Sequence, residues 1–184
     1  MPLRGSEPNA ERTLLWIRIC ICILIVGLIL SGITAFPLRV ELAFASDVLH
    51  DSPAVDWFPD AVAWVDRVAA ALQDTDARYP FVAYGTDWLA FAHLVLAIVF
   101  AGPLIDPVRN IWVTQFGVIA CVGIIPLALI AGGIRGIPLG WQLIDMSFGV
   151  LGAIPLVIAW RLTRRLERIQ HDEAVAPLGS TEIR

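Results

Sequence analysis

The chain contains no lysine: all thirteen of its basic residues are arginine. A functional demand for arginine would rarely remove every lysine, so the absence reads as composition bias, not as the mark of a site. Cysteine is scarce as well. Cys20, Cys22 and Cys121 all fall within apolar runs, and the long polar segment has none. A disulfide framework, which needs pairs in an oxidising compartment, is therefore excluded. So is a quinone-linked thiol oxidase of the four-helix kind, which needs outward-facing cysteine pairs. Cys20 and Cys22 stand two apart, point to different sides of a helix and make a poor metal clamp. All three read as small apolar packing residues. The basic residues form no patch away from apolar segment edges, which argues against a nucleic-acid partner. A P-loop, a Ser-His-Asp spacing and a zincin motif are all missing, and no residue is assigned a catalytic role.

What the sequence does have is apolar length. It is 58% hydrophobic over 184 residues, with a mean hydropathy of +0.74. Those values favour an integral membrane protein before any segment is examined. Residues 1–13 read as a polar tail. The first run covers 14–36, and its 18 residues from Ile19 to Phe36 carry no charge, enough to cross a bilayer core. Arg18 lies about one turn inside and is expected to extend to the headgroups. The Ala43-Phe44-Ala45 tripeptide has the order of a signal-peptide cleavage site. Arg39 and Glu41 intervene, however, and an uncleaved helix is expected.

Residues 37–86 form the one extended polar segment. From Leu38 to Thr86 it carries three Arg against eight acids, a net charge of −5. Trp57, Ala61, Trp64, Val65, Val68 and Leu72 recur at helical spacing, which predicts an amphipathic helix over about 57–73. Asp56 is its expected N-cap. A shorter helix is expected around Glu41–Leu49. Trp57, Trp64, Tyr79, Phe81, Tyr84 and Trp88 make the segment rich in interface-seeking rings.

Three further runs cover 87–105, 107–131 and 139–160, with an Arg-rich tail over 161–184. Asp106-Pro107 has the order of an N-cap followed by proline at the first helical position, and Pro126 is an expected kink. The fold class that follows is an all-α integral membrane protein, a bundle of four transmembrane helices. Nine Arg fall on the side of the termini and four (Arg39, Arg67, Arg78, Arg135) on the other. By the positive-inside rule both termini are cytoplasmic and the acidic segment is external.

This topology brings Asp87, His93, Arg135, Gln142 and Asp145 to one depth in the outer half of the membrane, from separate elements. His93 lies about 9 Å along its helix from Asp87, and Asp145 a similar distance from Leu139. A carboxylate at membrane depth costs about 2.5–3.5 kcal/mol at the helix centre and less nearer the interface. It therefore seeks a partner, and for Asp145 the candidates are Arg135 and His93. The cluster reads as a structural clip between the second and fourth helices, as an outward-facing polar pocket, or as an oligomer contact. Haem would need two axial ligands, and His93 is the one histidine in a membrane run, so His50 would have to fold in. Asp87, His93 and Asp145 have acceptable metal-ligand chemistry but no recognised spacing. No metal and no cofactor is expected. At the inner edge, Asp106, Arg109 and Asn110 look like a turn cluster, with Asp106 and Arg109 as a candidate pair.

The pieces YGTDWLAFAHLVLA, GPLIDPVRNIW and IRGIPLGWQLIDMSFG within Tyr84–Leu166 resemble a family of small four-helix bacterial inner-membrane proteins without an established activity. The resemblance covers less than half the chain and implies topology and bacterial origin. The expected function is that of a non-enzymatic accessory or scaffold subunit in a bacterial cytoplasmic (inner) membrane. Its partners are then the lipid bilayer and either a second copy or another membrane protein. The alternative is a small transporter, or a ligand- or lipid-binding protein using the cluster as its pocket. Four helices rarely enclose a path alone, so transport implies an oligomer. An enzyme acting on lipid or quinone comes third.

Overall fold

The computed structural model describes residues 7–175. The outermost parts of both tails, with Arg4 and Arg184, lie outside the described residues. All regular structure among the described residues is helical: α1 (Glu7–Ala35), α2 (Leu38–His50), α3 (Ala54–Trp57), α4 (Pro59–Arg78), a 3-10 turn at Pro80–Val82, α5 (Ala83–Val99), α6 (Ala101–Ile105), α7 (Ile111–Arg135) and α8 (Leu139–Val175). Four stretches are long and apolar enough to cross a membrane: Asn9–Ala35, Pro80–Ile105, Ile111–Arg135 and Leu139–Asp172.

The chain divides into two compact units, residues 27–96 and the remainder. In the latter, α1 turns Thr13, Ile17, Cys20 and Ile21 inward, while Leu15, Trp16, Ile19 and Ile23 remain exposed. The buried and exposed faces are equally apolar, which an aqueous solvent would penalise and lipid would not. The helix begins at Glu7, so residues expected in the polar tail already belong to it. Arg18 is exposed. Its Nε donates to the carbonyl of Leu104 at 3.3 Å, in the last turn of α6, where carbonyls lack helical partners and the helix dipole is negative.

The α7–α8 hairpin is the principal packing unit of the larger part. Gln142, Gly149, Leu156 and Thr163 are buried at intervals of seven along α8, with Ala159 and Leu166 three places further on. That is the seam of two helices packed at a shallow angle. A Cβ on Gly149 would stand 2.6 Å from the Cys121 carbonyl oxygen, and one on Gly117 would stand 2.7 Å from Phe100. Small residues thus let the helices approach to backbone contact. The turn between them closes at Gly136, with φ of 66°. Ile137 N–H bonds back to Gly132 O at 2.9 Å, and Gly136 N–H to Gly133 O at 3.4 Å, the double closure of a helix ending in a left-handed glycine.

In the 27–96 unit, α2 packs antiparallel to α4, and Val62 and Val65 of α4 are buried. The long helix starts at Pro59 after Phe58, with no side-chain cap. The expected cap Asp56 belongs to the short preceding helix α3. Proline fixes the first-turn geometry by itself and donates no N–H, which removes much of the need for a capping acceptor.

Gly149→Ala is expected to cost about 1–3 kcal/mol, because its neighbour is backbone and cannot move aside. Gly123→Ala, with nothing within 4 Å of the added carbon, leaves stability unchanged or slightly raised. Thermal melts of the two variants in one detergent check the contrast.

Candidate functional site

In the 27–96 unit, Asp87 and His93 stand half-buried on α5. His93 Nδ1 lies 2.7 Å from the Leu89 carbonyl. A carbonyl can only accept, so Nδ1 is the donor in this contact. Among the described residues Asp87 has no ion pair or hydrogen-bond partner.

The other three members lie in the larger unit. Gln142 is buried and spends its amide on the turn, Nε2 donating to Ile137 O at 2.8 Å. A Cβ on Gly132 would stand 2.7 Å from the Gln142 Cδ and Cγ atoms, so the glycine makes room for this side chain. Gln142 therefore clasps the hairpin. Arg135 is the exposed last residue of α7, one turn later than a loop position would be, where its charge complements the helix C-terminus. Asp145 sits three residues after Gln142, on the packing seam of α8, yet it is exposed. Among the described residues Arg135 and Asp145 form no ion pair with each other. The carboxylate lies almost two turns down α8, while the guanidinium leaves from the far side of the turn.

The turn between α6 and α7 is built differently from the sequence expectation. The stretch Pro107–Asn110 is a turn, and α7 begins at Ile111. Asp106 Oδ1 accepts the backbone N–H of Arg109 at 3.0 Å, and no Asp106–Arg109 ion pair forms among the described residues. A short acid placed before a turn closes on nearby backbone N–H groups more readily than on a long flexible side chain. Asn110 Nδ2 donates to Gly102 O at 3.1 Å and to Asp106 O at 2.9 Å. These residues satisfy backbone groups between two helices, which is a structural task. Within neither unit do three His, Cys, Asp or Glu side chains gather as metal ligands among the described residues.

The α2–α4 hairpin supplies polar groups that the sequence reading did not single out. Arg39 Nε lies 3.3 Å from Asp76 Oδ2. Asp66 accepts from Ser46 Oγ at 2.6 Å and faces His50 Nε2 at 3.5 Å. Beside the Arg39–Asp76 pair is a cleft of about 270 Å³ lined by Phe36, Val40, Leu72, Val82 and Thr86 among others. No local motif marks it, since its two charges are 37 positions apart and meet only through the antiparallel register of α2 and α4. The acidic excess of the segment was the nearest available signal.

No family model matches this chain, and no curated protein or solved structure is similar to it. Gln142→Ala is expected to cost about 1–3 kcal/mol, since the Ile137 carbonyl loses its side-chain donor and a space opens beside Gly132. A detergent melt should show that loss, whereas Gln142→Glu, with a second acceptor facing the carbonyl, should fare no better.

Proposed function

We propose that the chain is a non-enzymatic accessory or scaffold subunit of a bacterial cytoplasmic membrane. On this reading four helices span the bilayer, both termini are cytoplasmic, and α2–α4 form the external segment with α4 as its amphipathic helix. The chain works by packing the outer end of α8 against a second copy of itself. The observation that carries the proposal is Asp145. It occupies the same seam that α8 uses for internal packing, but it is exposed and has no partner among the described residues of its unit. At membrane depth a carboxylate in that position calls for a polar partner from outside the hairpin. A seam position left open is also where another helix fits.

The topology is supported by the arginine asymmetry and by exposed rings where the external segment meets the spans. Phe81, Tyr84 and Trp88, where that segment runs into α5, are all more than half exposed, as interface-seeking side chains are. In a chain whose three cysteines are replaced by alanine, a single cysteine at Asp47 should react with a membrane-impermeant maleimide on intact cells. One at Gln170 should react only after lysis. The reverse pattern would invert the topology.

The scaffold contact makes its own forecast. In nanodiscs the wild-type chain is expected to be oligomeric, and Asp145→Leu should shift it to monomers. The lone monomer should melt no lower, because an uncompensated charge has left the apolar phase. An unchanged mass together with a lower melting temperature would show that the carboxylate serves inside the chain, and the scaffold reading would fall.

A further inference from the structure

The cleft at the base of the α2–α4 hairpin contains none of Asp87, His93, Arg135, Gln142 and Asp145. Its lining residues, Phe36 to Val40, Leu72 to Asp76 and Val82 to Thr86, all belong to one unit. They include the two points where the hairpin joins membrane-spanning helices. One is Phe36-Pro37, directly after α1 ends at Ala35, and the other is Ala83, where α5 begins. On the membrane reading given above, on which this inference rests, covalent connectivity alone puts the cleft at headgroup level.

Its chemistry is divided in two. Phe36, Val40, Leu72 and Val82 give an apolar wall. Arg39 and Asp76 give one cation and one anion, 3.3 Å apart and each about half exposed. The pair is far from saturated. Among the described residues only the Nε–H of the five Arg39 donors is engaged, and Asp76 has its second oxygen free. An anion entering the cleft gains Arg39 but meets Asp76 beside it, and a cation meets the opposite conflict. A molecule carrying a phosphate and an ammonium a few ångströms apart satisfies both at once, with an apolar portion left over for the wall.

We propose that this cleft binds the headgroup of a zwitterionic phospholipid bearing a primary ammonium. Its phosphate lies on the guanidinium of Arg39, its ammonium lies on the carboxylate of Asp76, and its upper acyl carbons lie against Phe36, Val40 and Val82. The site ties the external hairpin to the leaflet from which α1 and α5 emerge.

The test is native mass spectrometry of the full chain released from nanodiscs of equal phosphatidylethanolamine and phosphatidylglycerol. The wild type should retain phosphatidylethanolamine about tenfold over phosphatidylglycerol, the scale of one charge-assisted hydrogen bond. Arg39→Gln should lose retention of both lipids, and Asp76→Asn should lose the preference between them. Arg39→Lys and the exchanged pair Arg39→Asp with Asp76→Arg should keep the preference, which guards against a variant that merely loosens the hairpin. Arg164→Gln, in an exposed pair within α8, should behave as wild type. Equal retention of the two lipids by the wild type, or an unaltered preference in Asp76→Asn, would overturn the site. Displacement of the lipid by glycerophosphoethanolamine or by inorganic phosphate at millimolar concentration would also overturn it, in favour of a soluble phosphate ligand. A chain stripped from membranes by alkaline carbonate would instead overturn the membrane reading itself. A chain that stays in membranes without lipid preference would overturn the cleft alone.

Discussion

The constraint on which everything else in this chain depends is that most of its exposed surface is as apolar as its interior. Ile23, Val26, Ile119, Leu127, Leu151 and Ile154 point away from the protein as openly as Ile17 and Leu156 point into it. Such helices gain little from one another by hydrophobic burial once lipid surrounds them. Close packing of small residues and well-placed polar groups must then hold them together. Gly117, Gly149 and Gly152 provide the first along α7 and α8. The Gly136 turn and the Gln142 clasp provide the second.

In that setting the polar side chains sort by how completely they are engaged. Asn110, Gln142 and Arg18 each spend a donor on a backbone carbonyl in or beside a turn or helix end. Such contacts reinforce the backbone where helices end. Asp87, Asp145 and the Nε2 face of His93 are different, since none of the described residues in their own units pairs with them. The Arg39–Asp76 pair is intermediate, joined internally but with most of its hydrogen-bonding capacity facing the cleft.

The four long helices were legible in the sequence because a run such as Ile19–Phe36 has no other stable form in a membrane. Their ends were less so. Asp106-Pro107 carries the signature of a helix start, but Asn110 bridges back to Gly102 and delays α7 by one turn, a contact over eight positions that no local pattern announces. The apolar spacing from Trp57 to Leu72 falls mostly within α4, but it does not by itself decide which of these residues are buried. Val62 and Val65 turn inward, whereas Trp57, standing before the helix, is 74% exposed. The partner α2 decides which face is buried, and that pairing lies outside any window of sequence. For the same reason the meeting of Arg39 with Asp76, 37 positions apart, could not be counted along any one helix.

The length of α8 has a further consequence. At 37 residues it measures about 55 Å, nearly twice a hydrocarbon core. Its C-terminal part carries Arg161, Arg164, Arg165 and Arg168 on consecutive turns. On the proposed topology this collar fixes the helix vertically, for sliding outward would draw guanidinium groups into lipid. Asp145 is then held about 24 Å from the first of those arginines by an inextensible rod. A thinner bilayer brings its carboxylate toward water, and a thicker one leaves it deeper in hydrocarbon. The energetic weight of that one residue, and of any contact made to relieve it, is thereby coupled to the thickness of the membrane in which the chain resides.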